Sequence, residues 1–455
     1  MFDFKGRSLF ILWVSLGAFG LFSTPASAIP SFARQMAVPC STCHTVFPSL
    51  TAFGRQFKLR GYTLGNALDD KLFPENLPLA FGMQVANTSV KNRSRGADPD
   101  EDFQQANKTI VQQVALYYGG KVAGKVGAFA QYNWDGIEKK WGAEMVDIRY
   151  ADSATVGGKE LAYGVTVSNS PGMADLWNSN PMWSFPHLDT AGVMPMQTSL
   201  FDMDALANQV GNVGLYGFYD SQYFLQLGFL RNGQKGIFRA LNLNDGPVEN
   251  AIKGNAPHVR MAWEKTWGPG TFEIGMHYLR ADIYPEADNQ NGPTNRYTDV
   301  ALDSQYQYDG GDHMFSLHAF LGREKRSWDA SFPAGDASNR ADNLTTVKLN
   351  GHYFYQRKLG GGIGFFDYHG DTDRARYGMG GMGMASAMGN ARGSPDTRGW
   401  MIEANWLPLE NRQNVKLGLR YTAYSKFNGA SSNYNGAGRD ASDNNSVFGY
   451  AWILF

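Results

Sequence analysis

From Leu79 onward the chain breaks into segments of about ten residues in which apolar and polar side chains alternate, and this period of two most limits the possible fold. Across Asn414 to Tyr424, Val415, Leu417, Leu419, Tyr421 and Ala423 fall on one face, with Lys416, Gly418, Arg420 and Thr422 on the other. Phe272, Ile274, Met276 and Tyr278 alternate in the same way with Glu273, Gly275 and His277, and Val146, Ile148 and Tyr150 with Asp147 and Arg149. A soluble sandwich has the same period, so alternation alone does not decide the fold.

Connection lengths decide it. Sixteen such segments begin near Leu79, Thr109, Val122, Ala143, Leu161, Asn212, Gln222, His258, Gly270, Tyr297, His313, Leu344, Gly360, Arg398, Asn414 and Ser446. Links after odd-numbered segments are mostly long, as at 170–211 and 371–397. Those after even-numbered ones are mostly tight, as at Gly119-Gly120-Lys121 and Asp220-Ser221. An even strand count with long loops on one side and short turns on the other describes an outer-membrane barrel. Closure is required because hydrocarbon cannot satisfy an exposed sheet edge. The expected fold is therefore all-β: a 16-stranded antiparallel β-barrel over 78–455, embedded in outer-membrane lipid with both termini periplasmic.

Composition agrees. With 41 Lys+Arg against 42 Asp+Glu the net charge is −1, which gives no electrostatic footprint for nucleic acid. Mean hydropathy is −0.36, and only one run approaches the ~18 apolar residues of a spanning helix. That run, Leu9 to Phe22, follows Lys5 and Arg7 and precedes Ala26-Ser27-Ala28. It reads as a secretory signal over 1–28. An exported chain folds where unprotected thiols oxidise, so its two cysteines need a role.

Cys40-Ser41-Thr42-Cys43-His44 supplies one, because C-x-x-C-H is the attachment signature of a c-type haem. Two thioether bonds fix the porphyrin edge, and His44 then lies where its imidazole can ligate the iron. A thioredoxin-like site would need a βαβ context, and a zinc site a second ligand pair, neither of which is present. Leu50, Phe53 and Phe57 recur as one helical stripe with Gly61 as a C-terminal cap, while Arg55, Lys58 and Arg60 are placed to meet haem propionates or solvent. The stretch 29–77, about 49 residues, is too short to fold without a staple. Sixteen strands leave a lumen, and this stretch is expected to form a small α-helical haem plug inside it.

The second axial position is open. Alternation points His258, His277, His318 and His352 into the lumen, and Met36 and Met83 are also candidates. Met379, Met382, Met384 and Met388 could suit Cu(I) or simply belong to a glycine-rich external loop. No hydrolytic constellation or phosphate-binding loop is present.

Phe32-Ala33-Arg34-Gln35, the C-x-x-C-H motif, Phe47-Pro48, Phe53-Gly54-Arg55-Gln56-Phe57-Lys58 and Gly61-Tyr62-Thr63 together carry a resemblance. The chain resembles the fused monohaem cytochrome–porins of iron-oxidising bacteria. The resemblance implies one covalently bound heme c and an oxidoreductase of the Fe(II):cytochrome c type, taking electrons from extracellular Fe(II). It further implies a periplasmic cytochrome or copper-protein acceptor. Two alternatives stand beside it: a conduit for another extracellular donor, and a solute porin with a redox-sensing haem plug.

Overall fold

Sixteen strands pair edge to edge, each with its neighbour in sequence, and the last closes on the first. The computed structural model describes residues 30–45, 49–65, 78–96, 103–179, 199–201, 205–240, 250–378, 386–409 and 414–455; the expected signal over 1–28 lies outside them. The strands are β1 Leu79–Val90, β2 Thr109–Ala123, β3 Val126–Asp135, β4 Lys140–Val156, β5 Lys159–Ser168, β6 Val210–Tyr219, β7 Tyr223–Asn232 and β8 Ala256–Trp267. They continue as β9 Gly270–Ile283, β10 Asn295–Asp309, β11 His313–Ser327, β12 Ala341–Tyr355, β13 Leu359–Gly370, β14 Thr397–Trp406, β15 Val415–Lys426 and β16 Ser446–Leu454. Closure is antiparallel, with Gly82 opposite Leu454 and Val90 opposite Ser446.

The two faces settle which kind of β protein this is. Leu215, Leu227, Ile274, Leu321, Ile363 and Leu419 are exposed on the outside, whereas Arg149, Arg260, Glu273, Glu324 and Arg326 are buried within. A soluble sandwich would invert this arrangement. Charge inside and hydrocarbon-compatible side chains outside suit a bilayer, where only a closed barrel leaves no backbone group unpaired. Exposed aromatics mark the short-turn end at Tyr223, Trp267, Tyr355 and Trp406. At the other end Tyr132 stacks on Trp141, with ring centroids 5.6 Å apart.

Two connections differ from the sequence expectation. β2 runs through Gly119-Gly120-Lys121, and the turn falls at Gly124-Lys125. The paired glycines serve close approach instead: a Cβ on Gly119 would lie 2.9 Å from the Phe32 ring, and one on Gly120 2.8 Å from Gln35 Oε1. The link between β3 and β4 is also tight although it follows an odd strand. There Asp135 Oδ1 accepts from the amides of Ile137 at 2.6 Å and Glu138 at 2.9 Å.

Among the described residues ahead of the barrel lie three short helices, α1 Pro30–Met36, α2 Cys40–Cys43 and α3 Ala52–Leu59. Thr51 caps α3 by accepting from the Gly54 amide, so Leu50 stands before the helix and the expected three-residue stripe is broken. Phe57 is buried against Phe32 and Tyr62, but Phe53 is 39% exposed. Gly61, with φ of 67°, ends the helix as foreseen. Its amide bonds Lys58 O and the Tyr62 amide bonds Phe57 O, which is a Schellman closure. The connection after β5 turns inward through α4 Pro171–Ala174, burying Leu176, Trp177, Leu200 and Phe201.

Candidate functional site

The cysteine motif is built as a tight two-layer turn. The His44 amide donates to Cys40 O and the Thr51 amide to Cys43 O, both at 2.9 Å, while Thr51 Oγ1 donates to Thr42 O at 2.7 Å. His44 and Leu50 form a β-bridge. α3 crosses so close that a Cβ on Gly54 would sit 2.1 Å from Cys43 O. Burial, and then neighbouring Cys40, pushes the Cys43 thiol up to about 11. A disulfide-exchange site needs the opposite shift, since the thiolate is its nucleophile.

Each basic residue of α3 and its C-terminal cap meets the barrel. Arg55 Nε pairs with Glu264 Oε2 at 2.6 Å, and its Nη1 donates to Gln307 Oε1 at 2.9 Å. Gln307 Nε2 returns to Leu50 O at 3.0 Å. Lys58 Nζ donates to Asp175 O at 2.9 Å, and Arg60 pairs with Glu160 at 2.8 Å. These partners correct the expectation that the three bases are left for propionates or solvent. Tyr62 Oη donates to Asp147 Oδ2 at 2.5 Å, and Arg357 Nη1 reaches His44 O at 3.4 Å. The inward loop joins the same network where Trp177 Nε1 donates to Glu264 Oε2 at 2.6 Å.

Burial, with Arg149 next, pulls the Lys58 ammonium down to about 8. Between pH 8 and the ordinary lysine value of 10.5 the unfolded chain therefore binds more protons than the folded one. Stability rises with pH through that window, as the cost of burying the charge is relieved. The thermal midpoint of wild type is expected to gain on that of Lys58→Met between pH 8 and 10; parallel curves would assign the effect to other groups.

The candidate second ligands separate by position. All four histidines face inward, as alternation required. Met83 does not: it shares the outward face with Phe81 and Val85, because it is an odd step from lumen-facing Gln84. Met36 packs against the cluster that includes Phe57 and Tyr62, and a Cβ on Gly65 would come within 2.7 Å of its sulfur. His258 stacks on His277 at 6.0 Å against Phe201 of the inward loop, and His277 Nε2 lies 2.9 Å from Ser179 Oγ. The strand partner of His277 is Ala301, six residues or about 20 Å along β10 from Gln307. His318 bonds Gln305 through one ring nitrogen and Asn350 Oδ1 at 2.9 Å through the other. His352 lies lower on the same wall, beside Gly362. Met379, Met382 and Met384 lie outside the described residues, while Met388 packs on an interior cluster with Phe427 and Tyr434.

Farther round the barrel, β12 to β15 place glycines and cations on the inner face. On β13 the inward positions at the short-turn end are Gly360, Gly362 and Gly364, and neighbouring rings lie over the first two: a Cβ on Gly360 would stand 2.4 Å from the Phe354 ring and one on Gly362 2.5 Å from His352 Nδ1. Lys348, Lys416 and Arg420 are buried nearby, with Glu403 bonded by Arg420 at 2.9 Å and 3.9 Å from Lys416. Among the described residues no group of three or more His, Cys, Asp or Glu could hold a metal ion. The residue set of the turn, two cysteines and the adjacent His44, is the one that would hold a covalent haem.

Fold and polarity together define a porin-like β-barrel of the outer-membrane type. No protein-family model and no curated protein matches the sequence. Among solved structures the chain is similar to the Salmonella typhi OmpF complex with daunomycin, at 11% identity and a TM-score of 0.46 over 83% of this chain and 97% of that one. It is also similar to the outer membrane channel DcaP of Acinetobacter baumannii, at 11% identity and 0.43 over 83% and 96%. An anion-selective porin from Comamonas acidovorans is similar at 11% identity and 0.43 over 83% and 98%.

Proposed function

We propose that this chain is an outer-membrane electron-transfer protein in which one heme c, attached at Cys40 and Cys43 and ligated by His44, plugs the barrel. In this reading it oxidises extracellular Fe(II) and hands the electrons to a periplasmic cytochrome or copper protein. The observation that carries the reading is the fixing of the C-x-x-C-H turn to the inner wall by Arg55–Glu264 and Arg357–His44 O. When bound, the haem supplies one-electron exchange at its iron. The chain's own residues do the rest. Cys40 and Cys43 would tether the group and His44 would ligate it.

Separation of donor from acceptor supports the same reading. A bilayer core of ~30 Å stands between them, and one tethered carrier within the wall lets electrons pass while the oxidised metal stays outside. Lys58–Asp175 O and the Glu264–Trp177 bond tie the N-terminal segment and the inward loop into one network, which supports a plugged lumen. A solute channel would need that space. Anaerobic Fe(II) mixed with the purified haem protein is expected to bring up the reduced haem band in stopped flow, with no change in Cys40→Ala/Cys43→Ala. An unchanged spectrum in wild type would remove iron as donor.

A further inference from the structure

On the outer face of β9, β10 and β11 the apolar belt ends in a group of bases. Ile274, Val300, Leu302, Leu317 and Leu321 are exposed on this face. Toward the long-loop end the same outward positions become Arg280 on β9, Arg296 and Thr298 on β10, and Arg323 and Lys325 on β11. Strand register sets their spacing. Thr298 stands opposite Arg280 on one side and Lys325 on the other, so the two bases flank it about 10 Å apart. Arg323 lies one outward step below Lys325, about 7 Å along β11, and one step above Leu321.

The charges do not cancel. These three strands set four bases against one outward carboxylate, Asp282, and Arg296 already holds it at 2.9 Å. Arg280, Arg323 and Lys325 are exposed and make no hydrogen bond or ion pair among the described residues. Asp371, beyond β13, accepts from the Asn343 amide at 2.8 Å. On β13 and β14, by contrast, the outward base is neutralised, because Arg398 pairs with Asp367 at 2.7 Å.

An unpaired base at the edge of hydrocarbon is tolerated where its head reaches a polar layer, which in a bilayer is the headgroup region. Arginine's fork matches a phosphate through two hydrogen bonds, and lysine adds a point charge. Thr298, between Arg280 and Lys325, brings a hydroxyl to the same row. Below the bases, Val300, Leu302 and Leu321 continue the same strands as a surface for acyl chains. A free phosphate would leave that lower half unused. A soluble acidic protein could not reach it inside the leaflet.

We propose that β9, β10 and β11 form a docking surface for a phosphate-bearing lipid of the leaflet at the long-loop end. Arg280, Arg323 and Lys325 hold the headgroup, and Val300, Leu302 and Leu321 take the chains. The surface belongs to the barrel wall and does not depend on the haem reading.

The test uses the full-length protein in dodecyl maltoside micelles, with folding checked by migration on unheated gels. The probes are bis-phosphorylated lipid A, the same lipid with its phosphates removed, and inorganic phosphate; bound lipid per chain is counted by native mass spectrometry. Wild type is expected to hold the phosphorylated lipid at least tenfold more tightly than the dephosphorylated one. In about 1 M salt, where the screening length falls to about 3 Å, most of that preference should vanish. Arg280→Gln/Arg323→Gln/Lys325→Gln should lose the preference. Lys235→Gln/Arg239→Gln/Lys253→Gln, which removes as many charges from the connection between β7 and β8, should keep it. A folded Arg280→Gln/Arg323→Gln/Lys325→Gln that binds like wild type overturns the proposal, as does a wild type that does not distinguish the two lipids. The salt series uses wild type alone, so a preference that survives screening overturns it even if the variant does not fold. Displacement of the lipid by millimolar inorganic phosphate would replace the lipid with a small anion and overturn it as well.

Discussion

Arg55→Met is expected to destabilise the attachment of the N-terminal segment by about 3–5 kcal/mol, the cost of leaving a buried charge without its partner. Glu264 faces the lumen with 4% exposure, and its Oε2 is shared between Arg55 Nε and Trp177 Nε1, both at 2.6 Å. Methionine fills the volume of the arginine stem but leaves that carboxylate with one neutral donor. It also removes the bond to Gln307. Urea titration followed by tryptophan fluorescence measures the loss, while migration on unheated gels reports the barrel itself. Adding Glu264→Gln should recover most of the deficit, because glutamine keeps an oxygen for Trp177 without the charge. A loss under about 1 kcal/mol would place the pair among weak surface bridges and undercut its role as an anchor.

Gly54→Ala is expected to have the largest effect on haem attachment. The added methyl would stand 2.1 Å from Cys43 O, and the obstacle is backbone, which cannot swing aside as a side-chain tip can. α3 and the motif turn must then separate, breaking the Thr51–Cys43 bond that holds them together. Overpacking of this kind costs about 1–3 kcal/mol, and the strain falls on the residues that present both thiols. Haem content per chain should fall severalfold. Gln56→Ala, on the half-buried side of the same helix, should leave haem content unchanged and stability within about 0.5 kcal/mol. Equal haem content in Gly54→Ala and wild type would show that the close crossing is not needed for attachment.

The barrel was legible because every strand repeats one physical demand. A side chain must suit either lipid or lumen, and the choice reverses at each residue, so Val415 to Ala423 betray a strand without any knowledge of their neighbours. Alternation alone could not show which face is which; the connection lengths, by pointing to a membrane barrel, did, and the burial of Arg149 and Arg260 beside exposed Ile148 and Met261 agrees. Strand ends were blurred where glycine served a second purpose. Gly119 and Gly120 have the composition of a turn, yet they lie within β2 because Phe32 and Gln35 press against them.

The surroundings of the proposed site were not legible in the sequence. Cys40, Cys43 and His44 carry their meaning in five consecutive residues. The partners of Arg55 and Lys58 stand more than a hundred positions away, at Gln307 and Asp175, and nothing local distinguishes a base destined for a wall carboxylate from one facing water. The stripe of Leu50, Phe53 and Phe57 misled for a related reason. Periodicity assumed a helix through all three, but the Thr51 side chain caps the helix after Leu50. The inward loop left no sequence signal beyond its length. Trp177 and Phe201 are apolar residues in a long connection, which is equally the composition of a loop that never enters the lumen.

The most direct measurement is the mass and visible spectrum of the purified chain after denaturation, from a host that matures c-type cytochromes. One haem per polypeptide, retained through denaturation and lost in Cys40→Ala/Cys43→Ala, is the expected result. A wild-type barrel that folds and inserts but comes out without covalent haem would contradict the proposed function at its root.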